Sequence, residues 1–176
     1  MLPFILGAIF FISMKRIGLG ICSHRFLSIG STKPCVIAGI TFDDIPGFQH
    51  YSDGDVVFFS LCHAITTLTG IEVIGVIAKN LYNVDGITDS EVYLKEALRL
   101  LNNQKISHVS ISLEAKKPHF HNHIPKMRQN LARILNISES EIGISAISGD
   151  GLSDVSCGDG VRCTAIVSTE SLETYA

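Results

Sequence analysis

The sequence predicts an α+β fold in which a small mixed sheet carries its helices on one face. Residues that alternate in polarity mark strands near both ends of the chain, and helical spacing marks three segments between them. The resulting order of strands, two helices, strand, helix and strands is typical of this fold class. The chain has 176 residues, of which 46% are hydrophobic and 18% are charged, so one domain with a real core is expected.

Charge and cysteine content argue against two classes of protein. The formal net charge is -3, and Lys and Arg are scattered singly apart from Lys116-Lys117, which argues against nucleic-acid binding. The five cysteines form no CxxC pair, and their odd number argues against a disulfide framework. A reducing, cytoplasmic location is therefore expected.

The first 13 residues form an apolar leader. This stretch is too short to span a membrane, and no positive charge precedes Lys15, whereas a signal peptide carries one before its apolar core. Because Met14 directly precedes the first patterned strand, we expect translation to start there and residues 14–176 to form the single domain. The alternative is a peripheral tail that contacts a membrane.

Alternating residues predict the first strands. Apolar residues at every second position predict a half-buried strand that ends with Cys22 and His24 on one face. The alternating residues are Ile17, Leu19 and Ile21. Two short strands, Val36-Ile37 and 40–42, are predicted to form a hairpin across Gly39, and turn residues follow them.

Helical spacing predicts the next elements. Apolar residues three and four apart predict a helix over 56–69, which a glycine ends. Residues 71–87 lack a period and hold several turn formers, so a long functional or mobile loop is expected there. Thr88 and Glu91 form a capping box that opens a second helix, which reaches residue 102 or 103.

The second half of the chain shows the same two patterns. Strict alternation predicts a strand over 109–115, and a histidine-rich loop follows and ends at Pro125. Helical spacing predicts a third helix over 127–135. Two final strands are predicted over 142–146 and 161–167.

A thiol and an imidazole two residues apart are the first candidate metal ligands. Cys22 and His24 end a strand on one face, so both can reach one cation. His63 lies two turns into the following helix, on its more polar face, and can complete a three-ligand site with an open fourth position. Zinc accepts this mixed ligand set. A buried cysteine and hydrogen-bonded histidines explain the same residues without a metal.

Two loops contain the residues of phosphate and magnesium sites. The segment Ser52-Asp53-Gly54-Asp55 offers a hydroxyl and free amides at a helix start, although caps and turns explain it equally well. The segment Ser148-Gly149-Asp150-Gly151 combines a hydroxyl, two glycines and a carboxylate, which suits phosphate oxygens and a magnesium ion. A simple hairpin turn also explains these four residues.

A histidine cluster is a rival metal site. His119, His121 and His123 alternate, and three imidazoles can chelate one ion. No acidic or thiolate residue lies near them in sequence, so an exposed or ligand-contacting loop explains the cluster as well.

Several collinear motifs resemble those of the 2-C-methyl-D-erythritol 2,4-cyclodiphosphate synthase family. The most specific is Ser-Asp-Gly-Asp-Val at 52–56, which resembles the family signature His-Ser-Asp-Gly-Asp-Val. The other matches, in the same order, are Arg16-Ile17-Gly18, Ile74-Gly75, Asp89-Ser90, His123-Ile124-Pro125-Lys126-Met127-Arg128 and Gly158-Asp159-Gly160-Val161 with Cys163. The resemblance covers the chain from Arg16 to Thr169.

The resemblance implies a lyase of isoprene biosynthesis in the non-mevalonate pathway. The implied reaction is the metal-dependent cyclisation of 4-diphosphocytidyl-2-C-methyl-D-erythritol 2-phosphate to 2-C-methyl-D-erythritol 2,4-cyclodiphosphate, with release of CMP. Such chemistry depends on positioning and charge neutralisation. The resemblance also implies a homotrimer with its sheets packed around the axis, active sites between subunits, and zinc and magnesium as divalent metals, with manganese as a possible substitute.

The resemblance also assigns roles to individual residues. The implied metal ligands are Cys22, His24 and Asp150, and His63 is predicted to join them as the replacement for a missing family ligand. The implied catalytic residues are Tyr51 and Ser148, at positions where the family has a phosphate-contacting His and Thr. The implied substrate-binding residues are Ser52, Asp53, Glu72, Val73, Gly75, Asn80, Ala115, Lys117, His121 and Gly149.

The sequence departs from the family pattern at the zinc site. Phe59 stands where the family has its third zinc histidine, and His63 lies one helical turn later on the same face, so it is the expected replacement. Changes at Tyr51, Val73 and Asn80 leave an alternative open, a catalytically weak homologue that acts as a trimeric ligand-binding or structural protein. The paired change at Phe59 and His63 favours the active cyclase.

Overall fold

A computed structural model describes the backbone of residues 10–175 and the side chains of residues 14–171. The strands are β1 (Phe10–Arg25), β2 (Pro34–Ile37), β3 (Ile40–Pro46), β4 (Lys105–Glu114), β5 (Ile142–Ile147) and β6 (Gly160–Tyr175). The α-helices are α1 (Val56–Thr69), α2 (Lys79–Asp85), α3 (Ser90–Arg99) and α4 (Ile124–Leu135). Of the predicted apolar leader, residues 1–9 lie outside the described residues, and 10–13 are described only as backbone of β1.

Four strands form one mixed sheet in the order β1-β6-β4-β5. Strand β6 pairs antiparallel with β1 and β4, whereas β4 and β5 run parallel. Strands β2 and β3 form a separate hairpin. The predicted α+β class with a small mixed sheet is confirmed.

Strand β1 buries its glycines and exposes its large apolar residues. A Cβ atom added at Gly20 would lie 1.9 Å from the carbonyl oxygen of Ser60 in α1. One added at Gly18 would lie 2.2 Å from the carbonyl oxygen of Ala64. On the opposite face, the exposed fractions are 73% for Ile17, 50% for Leu19 and 55% for Ile21. The predicted alternation is correct, but the face toward the core is the glycine face, because only glycine allows the helix backbone so close.

Helix α1 has the bounds predicted from its apolar spacing. Its N-cap is Asp55, whose carboxylate accepts hydrogen bonds from the backbone N–H groups of Val57 and Phe58. The same buried carboxylate accepts bonds from the N–H groups of Ala38, at 2.9 Å, and Gly39, at 2.7 Å. One side chain therefore joins the β2–β3 hairpin to the start of α1.

The segment expected to be a long loop is helical, so that prediction is wrong. Val73–Ala78 forms a π-helix that continues directly into α2. A π-helix shifts the period away from three- and four-residue spacing, so the sequence shows no amphipathic pattern there. Only Val73 and Ala78 of this π-helix are buried.

The capping box predicted at Thr88 and Glu91 is also wrong. The N-cap of α3 is Asp89, whose carboxylate accepts the backbone N–H of Glu91 at 2.8 Å. The Glu91 carboxylate instead pairs with Lys95, at 2.7 Å, and Arg133, at 2.9 Å. An Asp one position later supplies the cap, and the helix accordingly begins at Ser90.

The elements of the second half are confirmed, with changes in length. Helix α4 begins at Ile124, and Pro125 lies in its first turn, where proline is tolerated. Strand β5 buries only Ile142 fully, because it lies at the edge of the sheet. Strand β6 exceeds its predicted length because it pairs with β1 up to Tyr175. Within residues 10–175, no helix combines the length and apolar character needed to cross a membrane.

Candidate active site

The thiol and the imidazole at the end of β1 lie side by side. The Sγ atom of Cys22 is 3.5 Å from Nε2 of His24, and Nδ1 of His24 donates to the carbonyl of Gly54 at 2.7 Å. Because Nδ1 carries the hydrogen, Nε2 keeps its lone pair and faces the sulfur. Tetrahedral zinc with bonds of about 2.3 Å to sulfur and about 2.0 Å to nitrogen sets these atoms about 3.5 Å apart. The pair therefore fits a zinc ion.

Burial controls the protonation of this pair. Burial, with a further contribution from Asp55, raises the pKa of the Cys22 thiol to about 12. Burial also lowers the pKa of His24, against the hydrogen bond to Gly54. The site thus holds a neutral thiol and a neutral imidazole near pH 7 in the absence of a metal. A bound metal would displace the thiol proton, since thiolate is the ligand form of cysteine.

The third predicted ligand, His63, is not grouped with the pair in this conformation, although its charge helps to lower the pKa of His24. Phe59 of α1 packs against the imidazole, with its ring edge-on to that of His24 at 5.2 Å between centroids. His63 is half-buried, and burial lowers its pKa, while the carboxylate of Glu72 raises it. Within the described part of the chain, no three His, Cys, Asp or Glu side chains are arranged to hold a metal. The role of His63, like that of the rival histidine cluster, stays a prediction.

A second imidazole, which sequence reasoning missed, packs on the first. The rings of His50 and His24 are stacked, with centroids 4.6 Å apart and an angle of 30° between planes. Nδ1 of His50 accepts the backbone N–H of Ser52 at 3.2 Å and lies 2.9 Å from its Oγ. The sequence did contain a signal, because His50 directly precedes the position at which the family signature begins.

Lys33 holds the backbone of the loop that carries His50. Its ammonium donates to the carbonyl oxygens of Phe48, at 2.9 Å, His50, at 2.7 Å, and Ser52, at 2.5 Å. Burial lowers the pKa of Lys33, whereas the Asp53 carboxylate raises it. Three carbonyls at alternate positions thus surround one ammonium group. Sequence reasoning missed this contact because residue 33 lies in a different loop.

The predicted phosphate cradle uses its side chains within the protein. Ser52 is fully buried, and its Oγ accepts the backbone N–H of Gly54 at 3.2 Å. The carboxylate of Asp53 accepts the backbone N–H of Ser90 at 3.0 Å and also its hydroxyl. These contacts agree with the cap and turn explanation. Substrate contacts by Ser52 and Asp53 stay a prediction.

Four of the predicted substrate-binding residues lie in or near the π-helix. Val73 is fully buried, so its side chain offers no free surface in this conformation. Glu72 is exposed and folds over Gly75, where an added Cβ would lie 1.9 Å from its Oε1. Asn80 is exposed on α2. The structure therefore supplies Glu72 and Asn80 as accessible polar groups, and their contacts with substrate stay predictions.

A cavity of about 270 Å³ lies between the histidine-rich loop and the end of β5. Ala115, His121 and Ser148 line it, together with Lys116, Pro118, His119, Phe120, Ile124, Ala146 and Ile147. Lys117, another predicted substrate-binding residue, instead lines a neighbouring cavity of about 450 Å³ that includes Asp43 and Asp44. The fold thus brings together Ala115, His121 and Ser148 from the residues predicted along this loop and strand end.

The turn after β5 presents the predicted magnesium ligand to solvent. The hydroxyl of Ser148 donates to Oδ1 of Asp150 at 2.9 Å, and Asp150 itself is exposed. Gly149 and Asp150 both have positive φ, 72° and 50°, which keeps the turn tight. An accessible carboxylate beside a hydroxyl suits a hard cation.

Sequence comparisons define the class of protein. A sequence model described as the YgbB family matches residues 15–170. Over 153 residues the chain is 50% identical to the 2-C-methyl-D-erythritol 2,4-cyclodiphosphate synthase of Chlamydia felis, with 86% of this chain and 87% of that protein covered. The corresponding protein of Chlamydia muridarum is 44% identical over 153 residues, or 86% of either chain. The chain belongs to the YgbB family, among relatives that are 2-C-methyl-D-erythritol 2,4-cyclodiphosphate synthases.

Solved structures agree on the fold. The structure of a Plasmodium falciparum IspF–CDP complex matches with a TM-score of 0.76 at 23% identity, over 89% of this chain and 96% of that one. A CDP-bound 2C-methyl-D-erythritol-2,4-cyclodiphosphate synthase matches with a TM-score of 0.72 at 25% identity, over 90% of this chain and 100% of that one.

Proposed function

We propose that this chain catalyses the cyclisation of 4-diphosphocytidyl-2-C-methyl-D-erythritol 2-phosphate to 2-C-methyl-D-erythritol 2,4-cyclodiphosphate. The observation that carries the proposal is the 50% identity, over 86% of the chain, to a relative named for this activity. The paired Cys22 and His24 and the cavity beside Ser148 support it. In this lyase reaction the 2-phosphate attacks the β-phosphorus, a new P–O bond forms, and the bond to CMP breaks.

The proposed roles of the side chains follow from their positions. Cys22 and His24 would hold zinc, with His63 as the third ligand predicted from the sequence, and Asp150 would hold magnesium. The metals would neutralise the phosphate charge that develops during attack. The cavity between the histidine-rich loop and Ser148 would take the cytidine end, and a solved structure in a CDP-bound form supports a ligand of this class. Folding the substrate so that its two phosphates meet is the main task of the protein.

We propose that three copies of the chain assemble through the open face of the sheet. Leu19 lies opposite Ile166 in the register of β1 and β6, and both are exposed together with Ile17 and Ile21. A contiguous apolar patch of this kind marks an association surface. Assembly around a threefold axis would cover the patch and place active sites between subunits. A cytoplasmic location fits the five free cysteines.

One assay separates this function from its rival. Purified protein is incubated with the cytidylyl substrate and magnesium, and CMP release is followed by chromatography. We expect steady release that stops when a chelator removes divalent metals. Phe59 at the expected ligand position and the buried Val73 favour the rival, a ligand-binding homologue with weak catalysis. Tight substrate binding without CMP release would establish that rival.

A further inference from the structure

Two stacked imidazoles at the end of β1 have opposite hydrogen-bonding states. Nδ1 of His24 meets a carbonyl oxygen, which can only accept, so this nitrogen carries the hydrogen. Nδ1 of His50 meets the backbone N–H of Ser52, which can only donate, so this nitrogen carries the lone pair. In the neutral rings, the hydrogen therefore lies on Nδ1 of His24 and on Nε2 of His50.

Because the hydrogen lies on different nitrogens, the free Nε2 atoms of the two rings can bind different kinds of ligand. Nε2 of His24 offers a lone pair to a cation, whereas Nε2 of His50 offers an N–H to an anion. Among the described residues, Nε2 of His50 has no hydrogen-bond partner. It is nevertheless not one of the buried side-chain atoms without a partner, which in the described part of the chain are Nδ1 of His123 and Nε of Arg128. Nε2 of His50 therefore reaches solvent next to the Cys22–His24 pair.

The backbone of His50 is held in place by strong contacts. The ammonium of Lys33 donates hydrogen bonds to the backbone carbonyl of His50 and to the carbonyls of Phe48 and Ser52, two positions before and after it. The His50 ring is also packed edge-on against Phe59, with centroids 4.8 Å apart. A donor fixed in this way loses little entropy when it binds a ligand.

Tyr51 is a weaker candidate for the same role. Its ring packs on Tyr82, at 4.6 Å between centroids, and on His50, at 4.1 Å. It is separated from His24 by the ring of His50, because Tyr51 packs on His50 and on Tyr82 of α2 and shows no ring contact with His24 among the described residues. His50, by contrast, stacks directly on the candidate zinc ligand His24.

We infer that His50 is a catalytic residue whose Nε2–H donates a hydrogen bond to a phosphate oxygen of the substrate beside the candidate zinc site. The family resemblance gives that contact to a histidine at the next position, where this chain has Tyr51. The inference rests on the proposed function and adds a residue to it. An N–H aimed at a phosphate under attack stabilises the charge that develops there.

Two substitutions at position 50 test which nitrogen matters. The side-chain amide of Gln reaches the place of Nε2, whereas that of Asn reaches only the place of Nδ1. We expect His50→Asn to lower kcat about 10²- to 10³-fold, the usual effect of removing one such donor. His50→Gln should stay within about tenfold of the unchanged protein, as partial replacement of one donor allows. Zinc content, measured by plasma mass spectrometry, should be the same in all three proteins.

Three results would overturn the inference. Loss of zinc from His50→Asn would show that Nε2 is a metal ligand, and unchanged kcat in that variant would show that it has no role. A larger loss of kcat in Tyr51→Phe than in His50→Asn would assign the contact to the tyrosine. Circular dichroism shows whether each variant is folded. If the Asn variant is unfolded, the Gln variant decides: a folded His50→Gln protein whose kcat falls by more than about tenfold would overturn the inference by itself.

Calorimetric titration with the substrate separates this inference from the proposed function. If the unchanged protein binds substrate but releases no CMP, the proposed function fails. In that case the affinity for substrate decides the inference. It should fall at least tenfold in His50→Asn and be retained in His50→Gln. Equal substrate affinity in the two variants would overturn the inference. Absence of substrate binding in the unchanged protein would overturn both.

Discussion

Replacing Gly20 with alanine tests how closely α1 packs on β1. The new Cβ would lie 1.9 Å from the carbonyl oxygen of Ser60 and 2.4 Å from the backbone nitrogen of Ala64, whereas ordinary contact begins near 3.4 Å. The helix must therefore move by about 1.5 Å, and no rotamer change can relieve the clash because both contacted atoms are backbone. We expect the free energy of unfolding to fall by about 3 kcal/mol, the upper end of the usual overpacking cost.

Urea denaturation followed by circular dichroism measures this change. The matched control is Gly143→Ala in β5 of the same sheet, where the added Cβ meets only the carbonyl oxygen of Val109, at 3.9 Å. That variant should change the free energy of unfolding by less than about 0.5 kcal/mol. Because α1 carries Phe59 and His63, a displaced helix should also lower activity. A Gly20→Ala protein within about 1 kcal/mol of the unchanged one would refute the close packing on which the site depends.

Three further predictions test the metals and the assembly. His63→Ala should lower zinc occupancy and abolish cyclisation while circular dichroism stays unchanged, and full zinc content in this variant would remove His63 from the site. Leu19→Asp should place a charge in the open sheet face and shift the mass measured by sedimentation velocity from that of three chains toward that of one. If the protein without the substitution already sediments as one chain, the proposed trimer is contradicted. Asp150→Asn should raise the magnesium concentration needed for half-maximal CMP release at least tenfold without unfolding the turn, because Asn also tolerates positive φ; an unchanged requirement would place magnesium elsewhere.

The fold could be predicted from the sequence wherever one regular period dominates. Helix α1 shows three- and four-residue spacing and ends at a glycine, and β4 alternates strictly, so both were found. The π-helix over Val73–Ala78 was missed because its period matches neither pattern. The sequence also does not indicate which face of β1 is buried. Ile17, Leu19 and Ile21 have the composition of a core face, but they are exposed, and the opposite face with Gly20 packs on α1.

The site could be predicted only in part, because much of it depends on contacts between distant loops. Cys22 and His24 stand two apart on one strand, so their proximity follows from local geometry. The three carbonyls bound by Lys33 come from residues 15 to 19 positions later, and no local pattern records such a contact. His50 was overlooked for a related reason: its stacking on His24 appears only when β1 and the loop before α1 come together.

The ratio of the two products tests most directly whether this chain cyclises its substrate. Phosphorus NMR and chromatography on the same reaction measure the amounts of cyclic diphosphate and CMP. Intramolecular attack predicts equal molar amounts of the two, because each CMP leaves as one ring closes. CMP accompanied by a linear diphosphate would mean that water is the nucleophile, and would contradict the assignment of this site as a cyclase.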